Sequence, residues 1–137
     1  MIVSNGNDVV MVDDSLPELL LAGECFRRAG VANQWRTFSG GAEFLAYMSD
    51  VRDGVEEMPA VVLMDINMPR KNGLEVVAAT KAIADFTDRP PFMMFTNSLN
   101  PADRERAHAL GTEGLKVKPD NVADYVAFFA SLAGSIS

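Results

Sequence analysis

Short apolar runs rich in β-formers alternate with helical patterns along this sequence, and this alternation constrains the fold more than any other feature. The predicted strands are residues 8–12, 34–38, 60–64, 92–95 and 114–117. The predicted helices are residues 16–29, 42–48, 74–84, 101–110 and 121–132. Strand–helix alternation indicates right-handed βαβ units around a parallel sheet. The sequence therefore predicts an α/β sandwich of five strands.

Local signals support these elements. Ser15 and Glu18 have the spacing of a capping box at the start of the first helix, and Asn100 followed by Pro101 is typical of an N-cap and first helical residue. The predicted strands 60–64 and 92–95 are almost wholly apolar, as expected where helices cover both faces of a parallel sheet. The polar stretch 49–59 predicts a long solvated loop before the third strand.

The bulk properties favour a single domain. A chain of 137 residues with 48% hydrophobic residues suits one domain, 1–137, with its core at about 8–132. It has one cysteine and no apolar run of the length that spans a bilayer, so we expect a cytoplasmic protein with no membrane contact. A net charge of −7 argues against nucleic acid as a partner, because that interaction needs clustered Lys and Arg.

Polar residues follow four of the predicted strands. The first strand runs into Asp13 and Asp14, the third into Asp65, the fourth into Thr96 and the fifth into Lys118. In doubly wound sheets, ligands bind beyond the carboxyl ends of the strands, so we expect these side chains to converge on one cleft. Three carboxylates in one cleft repel one another unless a cation neutralises them, and an oxygen-only set suits Mg²⁺.

The same residues suggest a reaction. Asp65 is a carboxylate nucleophile able to form an acyl phosphate, Lys118 can neutralise a phosphoryl oxygen, and Thr96 can donate its hydroxyl to a phosphoryl group. Each residue also has an ordinary structural explanation, such as a helix start, a turn or a surface lysine. It is their joint occurrence at one edge of the sheet that favours phosphoryl transfer.

These residues lie in segments that resemble the receiver domain of response regulators. The matching runs are VVMVDDS at 9–15, VVLMDINMP at 61–69, NG at 72–73, FMMFT at 92–96 and GTEGLKVKP at 111–119. The resemblance spans about residues 8–132, with every landmark of the family in order. It implies the flavodoxin-like doubly wound (βα)₅ fold, a five-stranded parallel sheet with helices on both faces.

The resemblance also implies a role for each residue. Asp65 would be the phospho-acceptor, with Thr96 and Lys118 contacting the phosphoryl group. The metal ligands would be Asp14 directly, Asp13 mainly through water, Asp65 and the backbone carbonyl of Asn67. The Lys118–Pro119 bond would be cis, as family members have it.

The function implied is a stand-alone two-component response regulator. It would take a phosphoryl group from a sensor histidine kinase or a phosphotransfer protein, with Mg²⁺ as cofactor, and would lose it by hydrolysis. By the same resemblance it would not be an enzyme with a separate substrate, although it would catalyse its own modification. We expect no output domain after residue 137, so signalling would proceed through a protein surface toward a downstream target that the sequence does not name.

Two positions depart from the family pattern and two features bear on partners. Asn97 follows Thr96, at a position where the family usually has a small residue. Leu115 stands where the family usually has an aromatic residue. Phe128 on the last helix is either a partner contact, giving a possible homodimer, or a rim residue packed on its own domain. The loop 49–59 and the run at 67–73 are similar to single-domain regulators paired with bacterial phytochrome kinases.

Three rival interpretations remain. A flavodoxin-like electron carrier needs a Ser/Thr/Gly-rich phosphate loop after the first strand, where this chain has two carboxylates. A Mg²⁺-dependent hydrolase of the haloacid dehalogenase type needs a second Asp two residues after the nucleophile, where this chain has Asn67. A receiver-like interaction module no longer controlled by phosphorylation is the main alternative, and Leu115 keeps it open.

Overall fold

The computed structural model describes residues 7–83, 86–97 and 99–134. Within these residues five strands alternate with five helices. The strands are β1 (Val9–Val12), β2 (Trp35–Phe38), β3 (Val61–Asp65), β4 (Phe92–Thr96) and β5 (Leu115–Val117). The helices are α1 (Leu16–Arg28), α2 (Gly41–Arg52), α3 (Gly73–Lys81), α4 (Pro101–Ala109) and α5 (Val122–Gly134). In this part of the chain no helix combines the length and the apolar character that crossing a membrane requires.

The five strands form one parallel sheet in the order β2-β1-β3-β4-β5. The chain thus starts near one edge, moves outward to β2, and then crosses β1 to build the other half. This reversal of direction lies between β1 and β3, and such a switch point opens a crevice at the carboxyl ends of those two strands. The predicted α/β sandwich is confirmed.

Two apolar cores lie on opposite faces of the sheet. Alternate residues of β1 point to opposite sides, so Val10 and Val12 pack with α2, α3 and α4, while Val9 and Met11 pack with α1 and α5. All five residues of β3 are buried, as predicted for a strand covered on both faces. The sheet therefore holds the ends of β1 and β3 rigidly between two packed layers.

Side-chain caps fix where several helices begin. Asn100 caps α4 as predicted. At α1 only half of the predicted capping box forms, because the Ser15 hydroxyl accepts from the Glu18 amide while the Glu18 carboxylate binds elsewhere. A complete box that the sequence analysis missed, formed by Asn72 and Glu75, starts α3 one residue earlier than expected.

The prediction of a solvated loop over residues 49–59 is wrong for residues 49–52. Helix α2 continues to Arg52, because the apolar positions Phe44, Tyr47, Met48 and Val51 keep helical spacing and face the larger core. The rest of the stretch is a loop whose Glu56 binds Arg36 of the edge strand β2. For α3, the predicted end at residue 84 lies outside the described residues, and the helix itself ends at Lys81.

Candidate functional site

The strand register brings the polar residues of four loops to one edge of the sheet. Val12 pairs with Met64, so Asp13 and Asp65, each one residue further along, lie side by side. Asp65 pairs with Phe95, which precedes Thr96. Thr96 pairs with Val117, which precedes Lys118. The crevice predicted from the strand ends is therefore the place where these side chains meet.

Three carboxylates form what we term the acid cluster: Asp13, Asp14 and Asp65. One oxygen from each lies within 4.8 Å of the others. Asp13 is 0% exposed and Asp65 only 2% exposed, whereas Asp14 is exposed to solvent. Two buried carboxylates and one exposed carboxylate thus share a small volume, which is costly unless cations neutralise them.

Lys118 supplies one of those cations. Its Nζ donates to Asp13 Oδ2 at 2.7 Å and lies 3.3 Å from Asp65 Oδ1. The other oxygen of Asp13 accepts from the Ser15 amide at 2.8 Å. One ammonium among three carboxylates leaves a formal charge of −2, which a single divalent cation balances.

The pKa values of this group follow from burial and crowding. Burial first, and then the negative charge of Asp13, raise the pKa of Asp65 to about 6, and Lys118 only partly offsets them. For Lys118, burial opposes the charged form, but hydrogen bonds and charges from Asp13 and Asp65 outweigh it and raise the pKa above its ordinary value. Lys118 is thus a fixed positive charge at neutral pH, and Asp65 is a carboxylate held in an unfavourable environment.

Thr96 and Asn67 close the crevice on the β4 side. Thr96 is 2% exposed, and its hydroxyl accepts from the Asn67 side-chain amide at 3.4 Å. The Asn67 backbone amide donates to Asp65 Oδ1 at 3.2 Å. The Lys118 amide donates to the Thr96 carbonyl at 2.8 Å, which holds the lysine against the end of β4.

Three further features singled out in the sequence are the Lys118–Pro119 bond, Asn97 and Leu115. The Lys118–Pro119 bond is not cis: the one cis bond among the described residues joins Arg89 and Pro90. The prediction of a cis bond is therefore wrong, and Lys118 reaches Asp13 from a trans peptide, the isomer that X–Pro bonds ordinarily prefer. Asn97 is exposed, and Leu115 is half-buried against the core beneath α4.

The structure favours the second of the two interpretations of Phe128. The ring is half-buried, with its centre 5.4 Å from that of Phe95 and 5.3 Å from that of Phe129. The Lys116 ammonium lies 5.3 Å from the Phe128 ring centre, a cation–π distance. Phe128 is thus packed on its own domain.

The donor set of the acid cluster suits Mg²⁺. Carboxylate oxygens are the ligands that this ion prefers, and it keeps several waters, which the exposed side of Asp14 accommodates. A cavity of about 490 Å³ reaches Asp14 between the loops after β2 and β3, and its lining includes Ser39, Met68 and Arg70. The residues present therefore fit a divalent cation and leave a path for it to enter.

Sequence reasoning missed the residues that hold the acid cluster in place. The Ser15 amide binds Asp13, and Tyr125 on α5 donates its hydroxyl to Glu18 on α1. Ser15 was identified only as a helix cap, and Tyr125 lies within the predicted last helix, 121–132, without a role of its own. The Tyr125–Glu18 contact joins residues 107 apart, and no local pattern in the sequence signals it.

The raised pKa of Asp65 predicts that this residue destabilises the metal-free fold. A folded-state pKa of about 6, against 3.8 in the unfolded chain, means that the penalty is absent below pH 3.8, grows between these values and is complete above pH 6. The shift corresponds to about 3 kcal/mol at most, so we expect Asp65→Asn to raise the free energy of unfolding by about 1–2 kcal/mol at pH 7.5. Urea unfolding in EDTA measures this gain.

The gain in the free energy of unfolding should shrink at pH 5, where the wild-type Asp65 carboxyl is largely protonated. It should also shrink when Mg²⁺ saturates the wild type. Asp88→Asn is the matched control, because Asp88 is exposed in the loop before β4. An Asp65→Asn chain no more stable than the wild type in EDTA at pH 7.5 would contradict the expectation.

Comparisons with known proteins agree with this geometry. The sequence model of the family described as "Response regulator receiver domain" matches residues 9–128. The response regulator Rcp1 of Synechocystis sp. is 25% identical over 117 residues, which cover 85% of this chain and 79% of Rcp1.

Three solved structures have the same fold over almost the whole chain. Response regulator RPA3017, in red light signaling of R. palustris, is 29% identical with a TM-score of 0.79, covering 92% of this chain and 90% of that one. The phosphorylated cyanobacterial phytochrome response regulator RcpA also has a TM-score of 0.79, at 22% identity, covering 93% and 91%. Rcp1 itself has been solved in a Mn²⁺-bound form, with a TM-score of 0.76 at 23% identity, covering 91% and 90%.

Proposed function

Because the chain belongs to the response regulator receiver domain family, we propose that it is a phosphorylation switch that accepts a phosphoryl group on Asp65. Receiver domains act in two-component signalling with histidine kinases or other phosphodonors. The observation that supports phosphorylation of Asp65 is the acid cluster with Lys118 beside it. It brings a carboxylate nucleophile and a neutralising ammonium group into one crevice.

Asp65 and Lys118 perform the central part of the reaction. An Asp65 carboxylate oxygen attacks the phosphorus of a phosphohistidine, a P–O bond forms, and the P–N bond breaks. The electron pair of that bond stays on the imidazole nitrogen of the donor. Lys118 lies 3.3 Å from the attacking carboxylate and is placed to pair with a phosphoryl oxygen once the acyl phosphate exists.

The remaining groups hold the phosphoryl oxygens and the cofactor. Thr96 stands at the end of β4, where its hydroxyl accepts from the Asn67 side-chain amide, and it would donate to a second phosphoryl oxygen. Asp14, Asp65 and the Asn67 carbonyl would hold Mg²⁺ directly. Asp13 would act through water, because its two oxygens already accept from Lys118 and Ser15. When bound, Mg²⁺ supplies positive charge that offsets the carboxylates and the phosphoryl oxygens.

The related proteins favour a particular class of phosphodonor. RPA3017 belongs to red light signaling and RcpA is a phytochrome response regulator, so the proposed donor is the kinase of a bacterial phytochrome or a phosphotransfer protein beside it. The Mn²⁺-bound form of Rcp1 is consistent with a divalent cofactor. The proposal includes a cytoplasmic location and an output through contacts with a protein target or a second copy of the chain.

Incubation with phosphoramidate tests the proposal, with intact-mass measurement as the readout. We expect the mass of one phosphoryl group to be gained in Mg²⁺ and not in EDTA, because the acid cluster repels an anionic donor until a cation neutralises it. Hydrolysis on standing should restore the original mass. A wild-type chain that stays unmodified in Mg²⁺, with a reference receiver modified in parallel, would favour an interaction module outside phosphorylation control.

A further inference from the structure

The start of helix α1 fixes one wall of the acid cluster. Asp13 Oδ1 accepts from the Ser15 backbone amide at 2.8 Å. Ser15 is also the N-cap of α1, since its hydroxyl accepts from the Glu18 amide at 3.3 Å. The position of the Asp13 carboxylate therefore depends on where the first turn of α1 lies.

The first turn of α1 is in turn held by α5. In a complete capping box the Glu18 carboxylate would accept from the Ser15 amide, but that amide is already used by Asp13. Glu18 instead accepts from the Tyr125 hydroxyl. Tyr125 is 0% exposed, and its ring stacks on Phe129 with centres 6.0 Å apart. A rigid core side chain thus holds the helix start at which the Ser15 amide binds Asp13.

The Tyr125 hydroxyl stays protonated and available as a donor. Burial, followed by the Glu18 carboxylate that it binds, raises the pKa of Tyr125 above its ordinary value. Glu18 is half-buried between α1 and α5, so the contact is partly shielded from water. A charge-assisted hydrogen bond of this kind is shorter and stronger than a neutral one.

We propose that Glu18 and Tyr125 are positioning residues for the acid cluster, acting through the start of α1. The inference rests on the proposed function, because metal binding is the property that it tunes. The three carboxylates repel one another within 4.8 Å, and this repulsion favours movement of residues 13–15 away from Asp65. The Tyr125–Glu18 bond opposes that movement and keeps the carboxylates preorganised for one divalent cation.

Tyr125→Phe removes the hydroxyl and leaves the ring in the core. We expect the Kd for Mg²⁺, measured by calorimetry, to rise about three- to tenfold, the loss that one hydrogen bond of ordinary net strength implies. The phosphorylation rate should fall by a similar factor at low Mg²⁺ and recover at saturating Mg²⁺. The Ser15 amide should exchange its hydrogen faster, as followed by NMR.

Matched variants separate positioning from general stability. Tyr47→Phe removes the hydroxyl of a buried tyrosine on the other face of the sheet, where it donates to the Glu57 carbonyl at 3.1 Å. It should leave the Kd for Mg²⁺ unchanged. Glu18→Ala removes the acceptor from a half-buried position and should act as Tyr125→Phe does. Glu18→Gln removes the same negative charge as Glu18→Ala but keeps an acceptor oxygen for Tyr125. Its affinity for Mg²⁺ should therefore be close to that of the wild type.

The outcomes are distinct. Wild-type affinity in both Tyr125→Phe and Glu18→Ala would overturn the positioning role while leaving the proposed function in place. Equal losses in Tyr125→Phe and Tyr47→Phe would show a general stability effect and would also overturn it. A wild-type chain that binds no Mg²⁺ would overturn the proposed function and the positioning role together. If Tyr125→Phe does not fold, the Glu18→Ala and Glu18→Gln pair decides alone.

Discussion

Asp65→Asn is expected to stay unmodified after incubation with phosphoramidate and Mg²⁺, whereas the wild type gains one phosphoryl group. The amide oxygen of asparagine is a poor nucleophile and carries no negative charge, so no acyl phosphate forms. The substitution preserves the shape of a side chain that is 2% exposed, so the fold remains. Intact-mass measurement distinguishes the two proteins, and we expect no modified form of the variant.

Two controls make this result specific. Asp88→Asn changes an exposed acid outside the acid cluster and should be modified at the wild-type rate. Peptide mapping of the modified wild type, after reduction of the acyl phosphate with borohydride, should place the modification at Asp65. Modification of Asp65→Asn to the wild-type extent would mean that another residue is the acceptor and would refute the assignment.

Gly73→Ala is expected to destabilise the fold strongly, and more than Gly54→Ala. A Cβ at this position would lie 2.1 Å from the Asp65 carbonyl oxygen and 2.9 Å from Met64 Cγ. The first neighbour is backbone, so the start of α3 or the end of β3 must move. Overpacking of this severity costs about 3 kcal/mol or more. Urea unfolding, followed by the fluorescence of Trp35, measures the loss.

The same substitution should impair phosphorylation, because the displaced backbone carries Asp65. Gly54→Ala is the matched control: no atom lies within 4 Å of its added Cβ, and its φ of +78° is the source of strain there. We expect that control to cost about 1–2 kcal/mol and to keep the wild-type phosphorylation rate. Equal stability of the two variants would show that the approach of Gly73 to Asp65 is less close than described.

Features that follow from local pattern were predictable from the sequence. The five strands are apolar runs, and the acids that follow β1 and β3 come together because parallel strands end at one edge of the sheet. Asp13, Asp14 and Asp65 could therefore be grouped without coordinates. Thr96 and Lys118 follow β4 and β5 and could be grouped with the acids in the same way, and the register places both beside the acid cluster.

Features that depend on competition between partners were not predictable. Ser15 and Glu18 have the spacing of a capping box, but the Asp13 carboxylate takes the Ser15 amide and releases Glu18 for Tyr125. Which of two acceptors receives one amide is decided by tertiary geometry, not by spacing. The prediction of a cis Lys118–Pro119 bond was wrong for a different reason: it rested on the family resemblance alone and on no local signal in this sequence.

The charged residues in the two outermost strands limit how copies of this chain associate. Strand β2 carries Arg36, held by Asp8 and Glu56 and lying over the Tyr47 ring, and strand β5 carries Lys116 over the Phe128 ring. A cation in the middle of an edge strand disfavours the addition of a strand from a second copy, because pairing would place like charges side by side. Continuous sheets across two molecules are therefore disfavoured. Self-association, where it occurs, should use helix and loop surfaces, which can rearrange when the chain is modified.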